Sequence, residues 1–210
     1  MRQFFGRHRA VYALAFIIVV VVVSASTVIL KPSLSGEVPI IRHSVDSPTE
    51  TKPNKQTYKW YGAPDEPKYI SLPTISAEGF VQKVSVDQNN QIATPNNVHI
   101  AAWFVKSAKP GQPGLSIIDG HVTGRVNNGI FKNLQLLKQS DQYSVTLGNG
   151  SVKKYQVMSV VTVPVAKSID ALFSQESNVP SQLNLITCGG TYDKKLKGYP
   201  DRVVVSAKLL

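Results

Sequence analysis

Cysteine is nearly absent from this chain: Cys188 is the single one in 210 residues. One cysteine cannot close an internal disulfide, so it is either a small buried hydrophobe or a thiol kept for chemistry. The four histidines, His8, His43, His99 and His121, are scattered, and no Cys/His ligand spacing for a metal is present. No Gly-x-Ser-x-Gly elbow occurs, which removes the usual mount for Ser-His-Asp hydrolysis. Acidic residues are scarce, 13 against 23 Lys plus Arg, giving a net charge of +10. The basic residues are not interleaved with aromatics as in single-strand binders, so no nucleic-acid partner is expected. A basic surface fits solubility, or attraction to anionic polymers and lipid head groups. Internal repeats are missing from the folded part.

Charge is also missing from Ala10 to Leu30, 21 residues dominated by Val, Ile, Ala and Leu. At about 1.5 Å per residue a helix of this length spans a hydrocarbon core of roughly 30 Å. Arg2, Arg7 and Arg9 precede it and Lys31 follows. The positive-inside rule then places residues 1–9 in the cytoplasm, 10–30 in the membrane and the rest outside. A cleaved signal peptide ending near Ser24-Ala25-Ser26 is the rival, but the apolar stretch exceeds an ordinary h-region. Residues 31–67 are punctuated by Pro32, Pro39, Pro48, Pro53, Pro64 and Pro67 without a sustained period, and they read as a solvated extracellular tether.

From residue 68 to 210 the pattern is all-β. Tyr69–Leu72, Gly79–Val86, Gln142–Leu147 and Ser151–Val163 show alternation or β-branched runs. Turn signals separate such runs at Asn89-Asn90, Pro95-Asn96-Asn97 and Lys109-Pro110-Gly111, and Gly148-Asn149-Gly150 reads as a hairpin tip. Helix is expected only over Val126–Lys138 and Ser168–Ser174. Short strands this closely spaced suggest a closed or nearly closed barrel.

Cys188 ends the apolar run Leu183–Thr187 and is followed by Gly189-Gly190, a strand end where backbone can approach a substrate closely. His8 precedes the apolar segment, His43 lies in the tether and His99 sits in an ordinary strand pattern. His121 instead follows Ile117-Ile118-Asp119-Gly120 at a second strand end, 67 residues before the cysteine. Arg202 opens a third run, Val203–Val205. Thiol, imidazole and guanidinium together suit acyl transfer: a thiolate attacks a carbonyl, imidazole handles protons and a fixed cation stabilises the oxyanion.

These residues resemble the sortases, cysteine transpeptidases of the Gram-positive cell surface. The likeness rests on Leu185-Ile186-Thr187-Cys188, on Gly120-His121 upstream and on Arg202 downstream. It extends through Gly111-Gln112-Pro113-Gly114, Phe131-Lys132-Asn133-Leu134, the turn Leu137-Lys138-Gln139-Ser140-Asp141 and Cys188-Gly189-Gly190-Thr191-Tyr192-Asp193. The last element looks most like class F, with class E as neighbour. Departures are Asn184, where Thr often stands, Ser140, where the turn usually has Gly, and Asp201-Arg202, where many class F members read Asp-Asn.

The resemblance implies an eight-stranded barrel with the site at one rim, and no cofactor. It implies that Cys188 attacks the Thr–Gly bond of a Leu-Pro-x-Thr-Gly-like sorting signal and that His121 serves as acid and base. Arg202 would hold the substrate carbonyl, with Arg125 the next candidate, while Thr187, Gly189 and Gly120 support the site or touch substrate. Partners would be surface proteins carrying that signal, and an amine acceptor on a peptidoglycan precursor or a pilin. Leu72-Pro73-Thr74 of the chain itself lacks the rest of such a signal and reads as barrel strand. Two alternatives stay open: a catalytically silent peptide-binding barrel, and a thiol hydrolase resolving the acyl-enzyme with water.

Overall fold

The computed structural model describes residues 40–42, 44 and 47–210. The expected cytoplasmic segment 1–9, the membrane span 10–30 and the first part of the tether lie outside these residues. Among the described residues no helix is long and apolar enough to cross a membrane.

Eight strands close into a barrel. In chain order they are β1 (Pro67–Leu72), β2 (Ala77–Val84), β3 (Ala101–Phe104), β4 (Gly114–Gly120), β5 (Gln142–Leu147), β6 (Val152–Pro164), β7 (Ser181–Gly189) and β8 (Asp201–Leu209), with the short helix α1 (Ser168–Leu172) between β6 and β7. Around the barrel the order is β1-β2-β3-β4-β7-β8-β6-β5. The β2/β3 and β4/β7 pairs are parallel and the others antiparallel. Alternate residues fill the interior, among them Ile70, Leu72, Val81, Trp103, Ile118, Val145, Leu183, Leu185, Val203 and Val205. Closure leaves no free sheet edge, so an exposed active-site strand end carries no aggregation-prone ladder beside it.

The hairpin tip between β5 and β6 forms where the glycines stand, with Gly150 at φ +85°. The turn before β5 is held by the Asp141 carboxylate, which accepts the Lys138 N–H at 2.9 Å. Ser140 takes φ +76° there, the left-handed region that costs an L residue about 1–2 kcal/mol. Ser140→Gly removes that strain, offset in part by about 0.5–1 kcal/mol of added chain entropy in the unfolded state. It should raise the thermal midpoint by a degree or a few, read by calorimetry, without altering activity.

Two expectations need correction. The stretch Val126–Lys138 is not a helix; only Leu134–Leu136 makes a 3₁₀ turn. Asn127, Asn128 and Gly129 are poor helix formers, and the backbone N–H groups of Arg125, Val126 and Asn127 instead donate to the Glu50 carboxylate at 2.6, 3.0 and 2.7 Å. Those three amides outweigh a burial penalty and hold the Glu50 carboxyl below its ordinary pKa. The described part of the expected tether is not a free spacer either. Trp60 Nε1 donates to the Val81 carbonyl at 3.1 Å, and Tyr58 stacks on Phe80 with centroids 4.1 Å apart. Lys55 pairs with Glu78 at 2.9 Å. Ile41 packs over Val84, Ala93 and Ala102 on the outside of β2 and β3. Proline spacing loosens this segment, but its aromatic residues give it a wall to cover.

Candidate active site

Period-two alternation on three adjacent strands places the site on the outer face of the barrel, at one end. On β7, Leu183, Leu185 and Thr187 turn inward, which turns Asn184, Ile186 and Cys188 outward. On β8, Val203 and Val205 fill the core and Arg202 faces out. On β4, Ile118 is in the core while Ile117 and Asp119 face out. Cys188 pairs directly with Arg202 across the antiparallel β7/β8 ladder. Asp119 pairs with Ile186 in the parallel β4/β7 ladder. β4 ends at Gly120, one residue before His121.

Cys188, Arg202 and Asp119 line one cavity of about 350 Å³. Its other arm is apolar, built by Ile92, Phe104, Ile169, Phe173 and Ile186. Ile169 and Phe173 stay 69% and 48% exposed, enough to offer a ligand an apolar wall. That wall is the α1 segment, and it is pinned from β7. Asn184 Nδ2 donates to the carbonyls of Leu172 and Ser174 at 2.7 and 3.1 Å, and Gln182 Nε2 donates to Asn184 Oδ1 at 2.9 Å. Asn184 and Gln182 are buried, so Asn184→Ala strands polar atoms and should cost about 1–3 kcal/mol. Chemical denaturation reads the loss, and a rise in donor-peptide KM should accompany it because the wall loosens.

The guanidinium is fixed by backbone. Arg202 Nη1 donates to the carbonyls of Asp201 at 2.8 Å and Tyr199 at 3.2 Å, leaving its other N–H groups for the cavity. The Asp193 carboxylate is spent on the N–H groups of Lys195 and Leu196. Arg125 does not line the cavity; its loop is the one held by Glu50. The backbone of Gly190 at φ +80° ends β7 behind the thiol. Gly189 pairs with Asp201. Thr187 is buried; its hydroxyl donates to the Gly120 carbonyl at 2.6 Å and ties β7 to β4, and the residue also lines the cavity next to Cys188. Gly120 is required by close packing: a Cβ there would stand 2.5 Å from the Phe131 ring.

His121 does not line this cavity: its ring is turned to the loop before β3. Its Nε2 lies 2.7 Å from the Pro95 carbonyl, which can only accept, so Nε2 carries the proton and Nδ1 is the basic nitrogen of the neutral ring. Burial pushes the Cys188 thiol above its ordinary pKa; Arg202 pulls it back and Asp119 pushes it further up. Tyr199 lies near the thiol and its hydroxyl is also raised, first by burial and then by Cys188 and Tyr192. Among the described residues no three His, Cys, Asp or Glu side chains gather to hold a metal.

Asp119 is the site residue that the sequence reading passed over. It stands two residues before His121 in sequence, and its link to Cys188 comes from the β4/β7 register. Burial raises its pKa to about 6, against the opposing pull of His121, the Gly120 N–H and Arg202. A folded value above the unfolded one means protein stability falls as pH rises from about 4 to about 6. Asp119→Asn should therefore be more stable than the parent at pH 7, by on the order of 1–3 kcal/mol, with the gap closing toward pH 4. Urea denaturation at the two pH values reads the sign.

No curated protein matches the chain. The family model described as Sortase domain matches residues 70–210. Among solved structures, a lid mutant of sortase A from Corynebacterium diphtheriae is similar, with 26% identity, TM-score 0.52 and 68% of each chain covered. Sortase C-1 from Actinomyces oris superposes with TM-score 0.51 at 22% identity, covering 68% of this chain and 70% of its own. Sortase C from Streptococcus pneumoniae gives TM-score 0.52 at 19% identity, covering 71% and 68%. With the barrel, the lone thiol and a family match over the whole β domain, the chain belongs to the sortase family of cysteine transpeptidases.

Proposed function

We propose that this sortase cleaves a Leu-Pro-x-Thr-Gly-like sorting signal between Thr and Gly and passes the acyl group to an amine. The observation that carries the reading is the cross-strand pair Cys188 and Arg202 at the polar end of a cavity with an apolar arm. The apolar arm suits the Leu-Pro end of such a signal, leaving the Thr–Gly carbonyl at the thiol. Cys188 acts as nucleophile, and the raised thiol pKa means that only a small fraction is thiolate at neutral pH. His121 protonates the leaving amine and later takes a proton from the incoming one. Arg202 holds the carbonyl oxygen as negative charge develops on it.

The finer family placement we favour is class F, next to class E, on the Cys-Gly-Gly-x-Tyr-Asp element at Cys188–Asp193. The apolar run at residues 10–30 favours a single-pass anchor that keeps the barrel outside the cell membrane, within reach of surface proteins and wall precursors. Mass spectrometry of the full chain with a Leu-Pro-x-Thr-Gly peptide tests the chemistry. A thioacyl adduct on Cys188 and an amide product with added amine are expected. Acid product alone, whatever the amine supplied, would favour a hydrolase. No adduct would favour a peptide-binding barrel.

A further inference from the structure

We infer that Asp119 is the acceptor-reading residue of the site: its carboxylate receives the ammonium group of the incoming amine. The inference rests on the transpeptidase reading above and deepens it.

The carboxylate opens on the same cavity as the thiol and the guanidinium. Its Oδ1 is fixed by the Gly120 N–H at 2.7 Å, which holds the group in place and leaves the second oxygen without a hydrogen bond among the described residues. The charge is not consumed by an ion pair. The three pairs found among the described residues, Lys55–Glu78, Lys83–Glu66 and Lys109–Asp65, all lie elsewhere. His121 and Arg202 are near enough to act on the carboxylate, but neither closes an ion pair with it: the His121 Nε2 is held by the Pro95 carbonyl and the Arg202 Nη1 by the Tyr199 and Asp201 carbonyls.

For the first half of the reaction this carboxylate is a handicap, because a negative charge beside Cys188 disfavours the thiolate. Its use belongs to the second half, when the thiol is masked as a neutral thioester. The acceptor arrives as an ammonium ion and must give up its hydration on entering the cavity; a fixed carboxylate there compensates. Proton and electron bookkeeping then closes without another reagent. The ammonium yields one proton to the neutral imidazole of His121. The freed nitrogen attacks the thioester carbonyl, the C–N bond forms, the C–S bond breaks and the electron pair leaves on sulfur. The second nitrogen proton passes to that thiolate, restoring the thiol, and His121 returns its proton to solvent.

Capture by charge raises affinity for the ammonium form and does not speed its deprotonation, so the effect should fall on KM. The test uses the full chain in detergent, a Leu-Pro-x-Thr-Gly donor peptide and two acceptors at pH 7.5: N-acetyl-lysinamide, which is cationic, and hydroxylamine, which is largely uncharged. Asp119→Asn should raise KM for N-acetyl-lysinamide tenfold or more with no fall in kcat. KM for hydroxylamine should change by less than twofold, and thioacyl formation should become faster. Asp119→Glu should recover part of the lysinamide KM. Equal changes with both acceptors, or none with either, would overturn the assignment. Absence of a thioacyl adduct in the parent would instead remove the transpeptidase reading on which it rests.

Discussion

Cys188→Ala should abolish both cleavage of a sorting-signal peptide and transfer to an amine, while the barrel keeps its fold. The reaction splits into two acyl transfers only because a sulfur atom carries the acyl group between them. Alanine offers no atom for that bond, so product formation should drop to background in a mass-spectrometric assay. The fold should survive because Cys188 is half-buried on the outer face of β7 and is not part of the core stack Leu183, Leu185 and Val203. Removing one sulfur there belongs at the small end of truncation costs, about 1 kcal/mol. A variant with parental thermal stability and undiminished cleavage would exclude Cys188 as nucleophile.

What could be read from the sequence follows from where burial is one-sided. Strand β5 is legible to the residue, Gln142–Leu147, because it alternates a core face with a partly solvated one. Strand β3 is harder: His99, read as part of a strand pattern, stands in the turn before it, and Ala101–Phe104 is buried on both faces, so alternation does not mark where it begins. Its outer side is covered by Ile41, Ile92 and Ala93 of flanking segments, a long-range fact that a local pattern does not carry. The same limit explains the loop after His121, where the Glu50 carboxylate, remote in sequence, decides the backbone. Cys188, His121 and Arg202 stand out in the sequence because each lies at or next to a strand end beside a glycine or a run of valines. Asn184, noted only as a departure at the sequence level, turns out to anchor the wall of the cavity. Asp119 needed the strand register, since only the pairing of β4 with β7 shows that its face is also the face of Cys188.

Arg202→Lys should fail nearly as badly as Arg202→Ala. In the parent, two backbone carbonyls hold one end of the guanidinium, so its remaining donors reach the cavity in a fixed plane beside Cys188. That is the arrangement an oxyanion requires: donors set before the charge forms, with no reorganisation cost at the moment of reaction. An ammonium is a compact point charge with three rotatable donors; once it satisfies the Asp201 and Tyr199 carbonyls, it has no rigid fork left for the substrate. The expected loss is on the order of 10²–10³ in rate. Alkylation of Cys188 by iodoacetamide separates this from damage to the thiol. Lysine keeps the positive charge that pulls the thiol pKa down, so the alkylation rate should stay near the parent's. Alanine removes that charge, the thiol pKa rises further, and alkylation at pH 7.5 should slow. A surface arginine with no catalytic duty would behave differently, since exposed charge pairs contribute little and Lys would substitute freely. Full transpeptidation by Arg202→Lys would therefore strip the oxyanion role from this residue, whereas loss of transfer with an intact alkylation rate assigns it there.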